Sequence, residues 1–408
     1  MPLRIASPEL VGVTESSLTL AFSVDDAAGP VDSVVSVRLN GELRVKSEGP
    51  PATRLLRVEG LEPGTEYAIE IEAPGAPAPV PDAFWPGSVR TLSAPRGRQV
   101  ASFATLNDLH FGEASFGGFL ESDGERGEDR PGWGVVRAED TDVPYWRFMN
   151  EDAITDINGT GVDCTVIKGD IADRGLPDQF ESAARAFSGF SMPHHAFLGN
   201  HDYYARNEGL EVDGYALLGQ PPAPRCIDLG GWRLLLLETM EPGEHHGVFG
   251  EDRLAWLDET LEESDAPTLL LMHHHPVPPE HADRFPNTIG IRPEHSMRMV
   301  DVVGGHSQVR GVLIGHTHRN MVRRYPGSGR VPWIEVHCTK DYPGGFAHYR
   351  LFEDGSFRQE ARRTSSPRAL EHSTRCRDLF QGGYRHFSFG RLDARSFESD
   401  SAGARPAG

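Results

Sequence analysis

The strongest constraint in this chain is a change of rhythm near residue 95. Upstream, residues 16–24 (SSLTLAFSV), 34–41 (VVSVRLNG), 53–60 (TRLLRVEG), 66–73 (EYAIEIEA) and 87–92 (GSVRTL) alternate apolar and polar side chains. Each run is bounded by Gly, Pro, Asp or Ser. Period two places the apolar residues on one face of a strand, and short strands closed by turn formers predict an antiparallel sandwich over 1–95. Residues 93–99 (SAPRGRQ) read as a linker. From 100 onward, apolar runs alternate with helical patterns. The runs 163–170, 193–202, 232–239, 266–276 and 310–318 read as strands, and 144–161, 177–190, 251–264 and 294–306 carry helical spacing. That alternation predicts a layered α/β domain over 100–390, closed by strands within 331–363. The Gly-, Ala- and Ser-rich tail 391–408 is expected to be disordered.

A chain of 408 residues with 38% hydrophobic content has the length for two domains and the material for a core in each. Its net charge of −20 argues against nucleic acid as a partner, because phosphate backbones need a basic face. The start, MPLRIASPELVG, lacks an apolar stretch of leader length, and runs such as 234–237 and 269–272 are too short to span a bilayer. Cys164, Cys226, Cys338 and Cys376 are scattered, with no CxxC pair, which makes a cysteine zinc site a poor reading and reduced thiols a good one. The cytoplasm is the expected location, and the sequence leaves a homo-oligomer open. Residues 111–143 are long, glycine-rich and acidic, and suit either a lid over a site or a solvated insertion.

Residues of metal-binding type recur where the apolar strands end. Asp108 and His110 close ATLNDLH, Asp170 lies in TVIKGDIADRG, and Asn200, His201 and Asp202 end FLGNHD. His273, His274 and His275 follow LLLM, and His316 and His318 end VLIGHTH. Ligand sites in open α/β sheets collect beyond the carboxyl ends of strands, so five strands deliver polar groups to one edge. Asp108/His110 and His316/His318 are each two apart, a spacing that lets both members of a pair point the same way. Gly169, Gly199 and Gly315 leave room for sharp turns beside them. Carboxylate, amide and imidazole without thiolate suit Mn, Fe, Zn or similar ions, and more than six candidate ligands suit two ions rather than one.

In this order the motifs DLH, GDIADRG, GNHD, HHP and GHTH resemble those of the calcineurin-like metallophosphoesterases, over roughly 100–370. The resemblance implies two mixed sheets flanked by helices, an α/β/β/α layering. It implies one ion on Asp108, His110, Asp170 and His318, and a second on Asp170, Asn200, His274 and His316, with Asp170 bridging. His274 is selected because the family ligand stands two residues before a proline, here Pro276. His273 would then pack behind the ligands, and His275 would lie at the pocket rim. Two such cations polarise a phosphoryl oxygen and acidify a bridging water, so hydroxide is expected to attack phosphorus in line. His201 resembles the family histidine that protonates the leaving oxygen or stabilises charge on the phosphate, and Asp202 is expected to orient its ring. Arg174 suits either an ion pair or a substrate contact.

The preceding GLEPGTEY (60–67) resembles the corner of fibronectin type III domains, through Leu61, Pro63, Gly64, Thr65 and Tyr67. Protein phosphatases carry an arginine before Gly-Asn-His that LGNHD lacks. Purple acid phosphatases carry a tyrosine where this chain has Asp173. The stretch from LETMEPGEHHG through WLDE to HHHPVP resembles the bacterial cyclic-nucleotide and glycerophosphodiester phosphodiesterases. The expected activity is therefore hydrolysis of a small phosphate ester. The alternatives are a phosphomonoesterase of nucleotidase or protein-phosphatase type, and a binding module whose metal site is a relic.

Overall fold

The computed structural model describes residues 2–50, 52–120, 126–127, 133–278, 280–281 and 289–399. Two four-stranded sheets open the chain. Arg4–Val13 pairs with Ser17–Asp26, which also pairs with Arg54–Glu59, and the facing sheet runs Glu42–Gly49, Ser33–Leu39, Glu66–Glu72, Ser88–Arg90. Alternate residues of these strands, among them Leu18, Leu20, Phe22, Val35, Val37, Ile69 and Ile71, enclose one core around Trp85. Leu61 is buried in that core, and the Tyr67 hydroxyl accepts a 3.0 Å hydrogen bond from the Glu62 amide, as the fibronectin-like corner requires.

Two six-stranded sheets follow. The first runs His194–Phe197, Cys164–Lys168, Gln99–Leu106, Gly345–Phe352, Phe357–Arg363, Ser396–Glu398. The second runs Arg225–Leu229, Trp232–Leu237, Thr268–Met272, Val309–Ile314, Trp333–Glu335, Met321–Arg323. They pack face to face through Phe103, Val166, Phe197, Leu234, Leu236, Leu269, Leu271, Leu313 and Tyr349. Helices Tyr145–Asn158 and Pro177–Phe187 cover the outer face of the first sheet. Glu251–Glu262 and Pro293–Gly305 cover that of the second. This is the α/β/β/α layering. It explains why every residue of Cys164–Lys168 and Thr268–Met272 is buried: both faces of each strand are covered.

In its fold the structure departs from the sequence reading at the sheet edges, in an added helix and at the C-terminal end. The ligand-bearing strand ends do not share one sheet edge. Those before Asp108, Asp170 and Asn200 belong to the first sheet, those before His274 and His316 to the second, and the two edges face one another. A helix not anticipated, Pro367–Arg377, is started by Ser366, whose hydroxyl accepts from the Ala369 amide at 3.2 Å. The supposed tail is ordered through Leu392–Arg395 and Ser396–Glu398. Its reason is Arg395, which is buried and donates to the carbonyls of Leu10 (2.7 Å) and Val11 (2.9 Å), while Phe397 packs between the sheets. Residues 400–408 lie outside the described residues. In the 111–143 stretch, Ser115–Gly117 pairs with Val135–Arg137, and 121–125 and 128–132 lie outside the described residues. No helix among the described residues is long and apolar enough to cross a membrane.

Tyr67→Phe removes one hydroxyl and keeps the ring. It should lower the unfolding free energy by about 1 kcal/mol. The check is a reduced urea midpoint at unchanged slope. An unaltered midpoint shows that the corner contributes nothing net.

Candidate metal centre

Each strand end delivers its side chains by a sharp local turn. Asp108, His110, Asp170, His316 and His318 all adopt left-handed backbone, with φ between 45° and 66°. That region costs an L-residue roughly 1–2 kcal/mol, and its concentration here points to function rather than accident. The turns are closed by a ladder of backbone bonds: Asp108 N to Gly169 O (3.1 Å), and Leu109 N and His110 N to Asp170 O (2.8 and 3.0 Å). Gly199 allows the close approach of the neighbouring turn, since a Cβ there would collide with the Asp170 carboxylate and with His273.

Six of the seven expected metal ligands, Asp108, His110, Asp170, His274, His316 and His318, fall into overlapping groups. One ligand atom from each of Asp108, His110 and His318 lies within 4.8 Å of the others, as do atoms of His273, His274 and His316, and of Asp108, Asp170 and His273. Asp170 is at the middle. Its Oδ1 accepts from the His201 amide at 2.9 Å, and its Oδ2 lies 3.1 Å from His273 Nε2 and 3.9 Å from His110 Nε2. Asp108 accepts from the His316 amide at 3.0 and 3.1 Å and faces His318 Nε2 at 3.5 Å.

The far nitrogens of the imidazoles are occupied, which fixes the rings. His110 Nδ1 lies 3.3 Å from Asp173 Oδ1, His318 Nδ1 lies 2.9 Å from Asp341 Oδ2, and His274 Nδ1 lies 3.0 Å from Thr239 Oγ1. Asn200 donates its amide to the Tyr204 hydroxyl at 2.6 Å, which turns the amide oxygen the other way. What is left over is the test of fit. His110 Nε2, Asn200 Oδ1, His274 Nε2 and His316 Nε2 are buried and have no hydrogen-bond partner. Unpaired buried polar atoms are costly, and four in one cluster, all of metal-ligating type, match a pair of ions.

For three of the imidazoles the electrostatics agree with that fit. Burial holds His110 and His274 well below the ordinary imidazole range and His316 down to about 3, so all three present neutral rings. Burial opposes ionisation of Asp170, but His273 and His201 beside it hold its carboxyl well below the usual range. Burial likewise opposes a charged His318, and Cys338, Asp108 and Asp341 together raise it well above the usual range.

Among the other candidates, His201 stacks edge-on against His110 at 4.4 Å, is 29% exposed, and bonds Asp173 O through Nδ1 at 2.7 Å. Asp202 does not orient it. Both Asp202 oxygens are taken by backbone amides, Ala172 N at 2.7 Å and Gly199 N at 2.8 Å, so this carboxylate ties two ligand-bearing turns together. Burial and the charge of Asp170 push its carboxyl up to about 7. His275 is buried rather than at a rim, because the segment around Ile291 folds over it and bonds its carbonyl at 2.8 Å. His273 uses both nitrogens, one on Asp170 and one 2.7 Å from Lys168 O. Arg174 pairs with Glu208 on the surface.

Sequence reasoning missed Asp173, Asp341, Thr239 and Tyr204. Thr239 ends the 232–237 strand and obeys the same strand-end rule as the ligands. Asp341 sits in CTKDYPGG, which carries no such signal. Phe116, from the 111–143 stretch, stacks 6.4 Å from the His318 ring, with Lys340 Nζ 4.1 Å from its own centroid.

Comparison with known proteins adds an independent line. Residues 102–320 match the calcineurin-like phosphoesterase family. A probable cyclic nucleotide phosphodiesterase of Synechococcus is 30% identical over 48% of this chain and 75% of its own. The 3',5'-cyclic adenosine monophosphate phosphodiesterase CpdA of Pseudomonas aeruginosa is 28% identical over 48% of this chain and 72% of its own. The glycerophosphodiester phosphodiesterase GpdQ of Enterobacter lignolyticus is 28% identical over 43% of this chain and 64% of its own. With more than half of its length matched and its Asp/His cluster assembled, the chain belongs to the calcineurin-like phosphoesterases and is a phosphoric ester hydrolase.

Proposed function

We propose that this protein is a dinuclear phosphodiesterase for a small molecule, a cyclic nucleotide or a glycerophosphodiester. The observation that carries the reading is the set of four buried, unpartnered ligand atoms on His110, Asn200, His274 and His316 around Asp170. Asp108, His110, Asp170 and His318 would hold one ion of the Mn, Fe or Zn group, and Asp170, Asn200, His274 and His316 the other. When bound, the ions polarise a phosphoryl oxygen and acidify water near neutral pH. The names of the similar enzymes favour a diester, and a net charge of −20 favours a small substrate over DNA. Four free cysteines, three of them buried, suit a reducing compartment such as the cytoplasm.

The chain's own residues supply the rest of the chemistry. His201 Nδ1 donates to the Asp173 carbonyl, which leaves Nε2 for the substrate side; passing a proton from Nε2 to the leaving oxygen requires the ring in its doubly protonated form. Asp173 also fixes His110, so one residue orients a ligand and the acid together. Asp202 serves by holding the turns after two strands in register.

Hydrolysis of bis(p-nitrophenyl) phosphate should appear on adding Mn²⁺ and vanish on chelation. Activity indifferent to the chelator would instead favour the binding-module reading, with the hydrolysis a contaminant. Asp170→Ala should lose both metal and activity, measured by elemental analysis beside turnover. His201→Ala should retain its metal while kcat falls by about 10²-fold or more. If that variant loses metal instead, His201 is structural. A panel of cyclic AMP, glycerophosphodiesters and monoesters, ranked by kcat/KM, tests the diester preference. A monoester at the head of the ranking overturns it.

A further inference from the structure

One carboxylate of the N-terminal sandwich reaches the support of the metal cluster. Glu9, in the strand Arg4–Val13, is 1% exposed. Its Oε1 accepts from the Tyr342 hydroxyl at 2.7 Å and from Arg385 Nε at 2.9 Å, and its Oε2 accepts from Arg363 Nη1 at 3.1 Å. Arg363 spends its other nitrogens nearby, donating to Pro343 O at 3.0 Å and to Ser373 Oγ at 2.7 Å. Glu9 therefore grips the 342–343 turn directly and through an arginine.

That turn is continuous with the cluster. Asp341, next in the chain to Tyr342, accepts from His318 Nδ1 at 2.9 Å. Lys340, one residue further, is fully buried with Nζ 2.7 Å from Glu113 Oε2. Tyr342 is itself fully buried, so its hydroxyl bond to Glu9 has no water to replace it. Other side chains of the cluster are held differently. His110 relies on Asp173, His274 on Thr239, and Asn200 on Tyr204, all from the strand-end loops.

We propose that Glu9 is a positioning residue for the metal centre. By fastening Tyr342 and Arg363, it sets where Asp341 stands and so how the His318 imidazole is aimed. The sandwich is then a built part of one metal site, the one to which Asp108, His110 and His318 belong, rather than an appended recruiting module. The inference rests on the assignment of His318 as a ligand given above.

A matched control lies on the same interface. Glu15 accepts from Arg350 Nη1 and Nη2, both at 2.6 Å, and from Arg358 Nη1 at 2.9 Å. These partners lie on the strands Gly345–Phe352 and Phe357–Arg363 and none is in the 340–343 segment. Glu15→Gln thus weakens the same interface without touching that turn.

The experiment is Mn²⁺ titration of the full chain, read by calorimetry and by the electron paramagnetic resonance signal of free Mn²⁺. It compares the parent with Glu9→Gln, Tyr342→Phe, Glu15→Gln and His318→Ala. The parent should bind two ions. Glu9→Gln should keep one affinity and weaken the other by about tenfold or more, the scale of a disturbed ligand support. Tyr342→Phe should weaken the same site to a lesser degree, and it decides the question if Glu9→Gln does not fold. Glu15→Gln should lower the melting temperature and leave both affinities unchanged. Unaltered affinities in folded Glu9→Gln and Tyr342→Phe, or equal losses in Glu15→Gln, overturn the proposal. His318→Ala separates the two levels: if it still binds two ions with parental affinity, the ligand assignment itself is wrong and the inference falls with it.

Discussion

A carboxylate buried between two sheets governs this structure. Asp170 is 1% exposed, and an ionised group in such a place is tolerated only when its surroundings answer the charge. The His201 amide and His273 Nε2 do so in part, and the remaining groups facing it are imidazoles whose free nitrogens have no other partner. A neighbouring Asp108 and a nearby Asp202 make the region more acidic still. The demand for cations is therefore written into the packing, because the two carboxylates Asp108 and Asp170 are buried beside one another.

The same demand explains the backbone. Five of the seven candidate ligands sit in left-handed conformation, a strain that strand-to-loop turns normally avoid by using glycine. Here the turn must both reverse the chain and present a charged or imidazole side chain to a point. Glycine appears one position earlier instead, at Gly169 and Gly199, where neighbouring turns press together too closely for a side chain. Asp202 bonds across two of these turns. It thus helps hold a strained arrangement that hydrogen bonds and burial must over-determine.

The sandwich joins this centre by polar contacts. Arg395 ties the C-terminal edge strand to the backbone of Arg4–Val13, Glu15 engages Arg350 and Arg358, and Arg57 bonds Glu360 at 2.6 Å. Partly buried charge pairs of this kind resist sliding, since moving either partner leaves an unpaired charge. A rigid seat is what a metal cluster assembled from two separate sheets requires.

The ligand types and their order were legible along the chain because they depend on local geometry. A strand of period two, a turn, and residues two apart announce where Asp108/His110 and His316/His318 will point. The sandwich was legible for the same reason: alternation and the GLEPGTEY corner are short-range signals. Three things had no local signature. Asp173 and Asp341 hold the rings of His110 and His318, yet Asp341 lies in no quoted motif, and Asp173, though inside GDIADRG, is not marked there as an orienting group. Asp202, adjacent to His201, accepts from the Ala172 and Gly199 amides instead of orienting the neighbouring ring. The residues after 390 look like a disordered tail until Arg395 meets the carbonyls of Leu10 and Leu10's neighbour Val11, more than 380 positions away. Strand-end patterning marked the residue types offered to the centre, and the resemblance to the phosphoesterase motifs selected the expected ligands among them. Which side chains steady that centre was decided only when two sheets and a sandwich closed on one another, because an orienting contact depends on distance in space and no repeat along the chain records it.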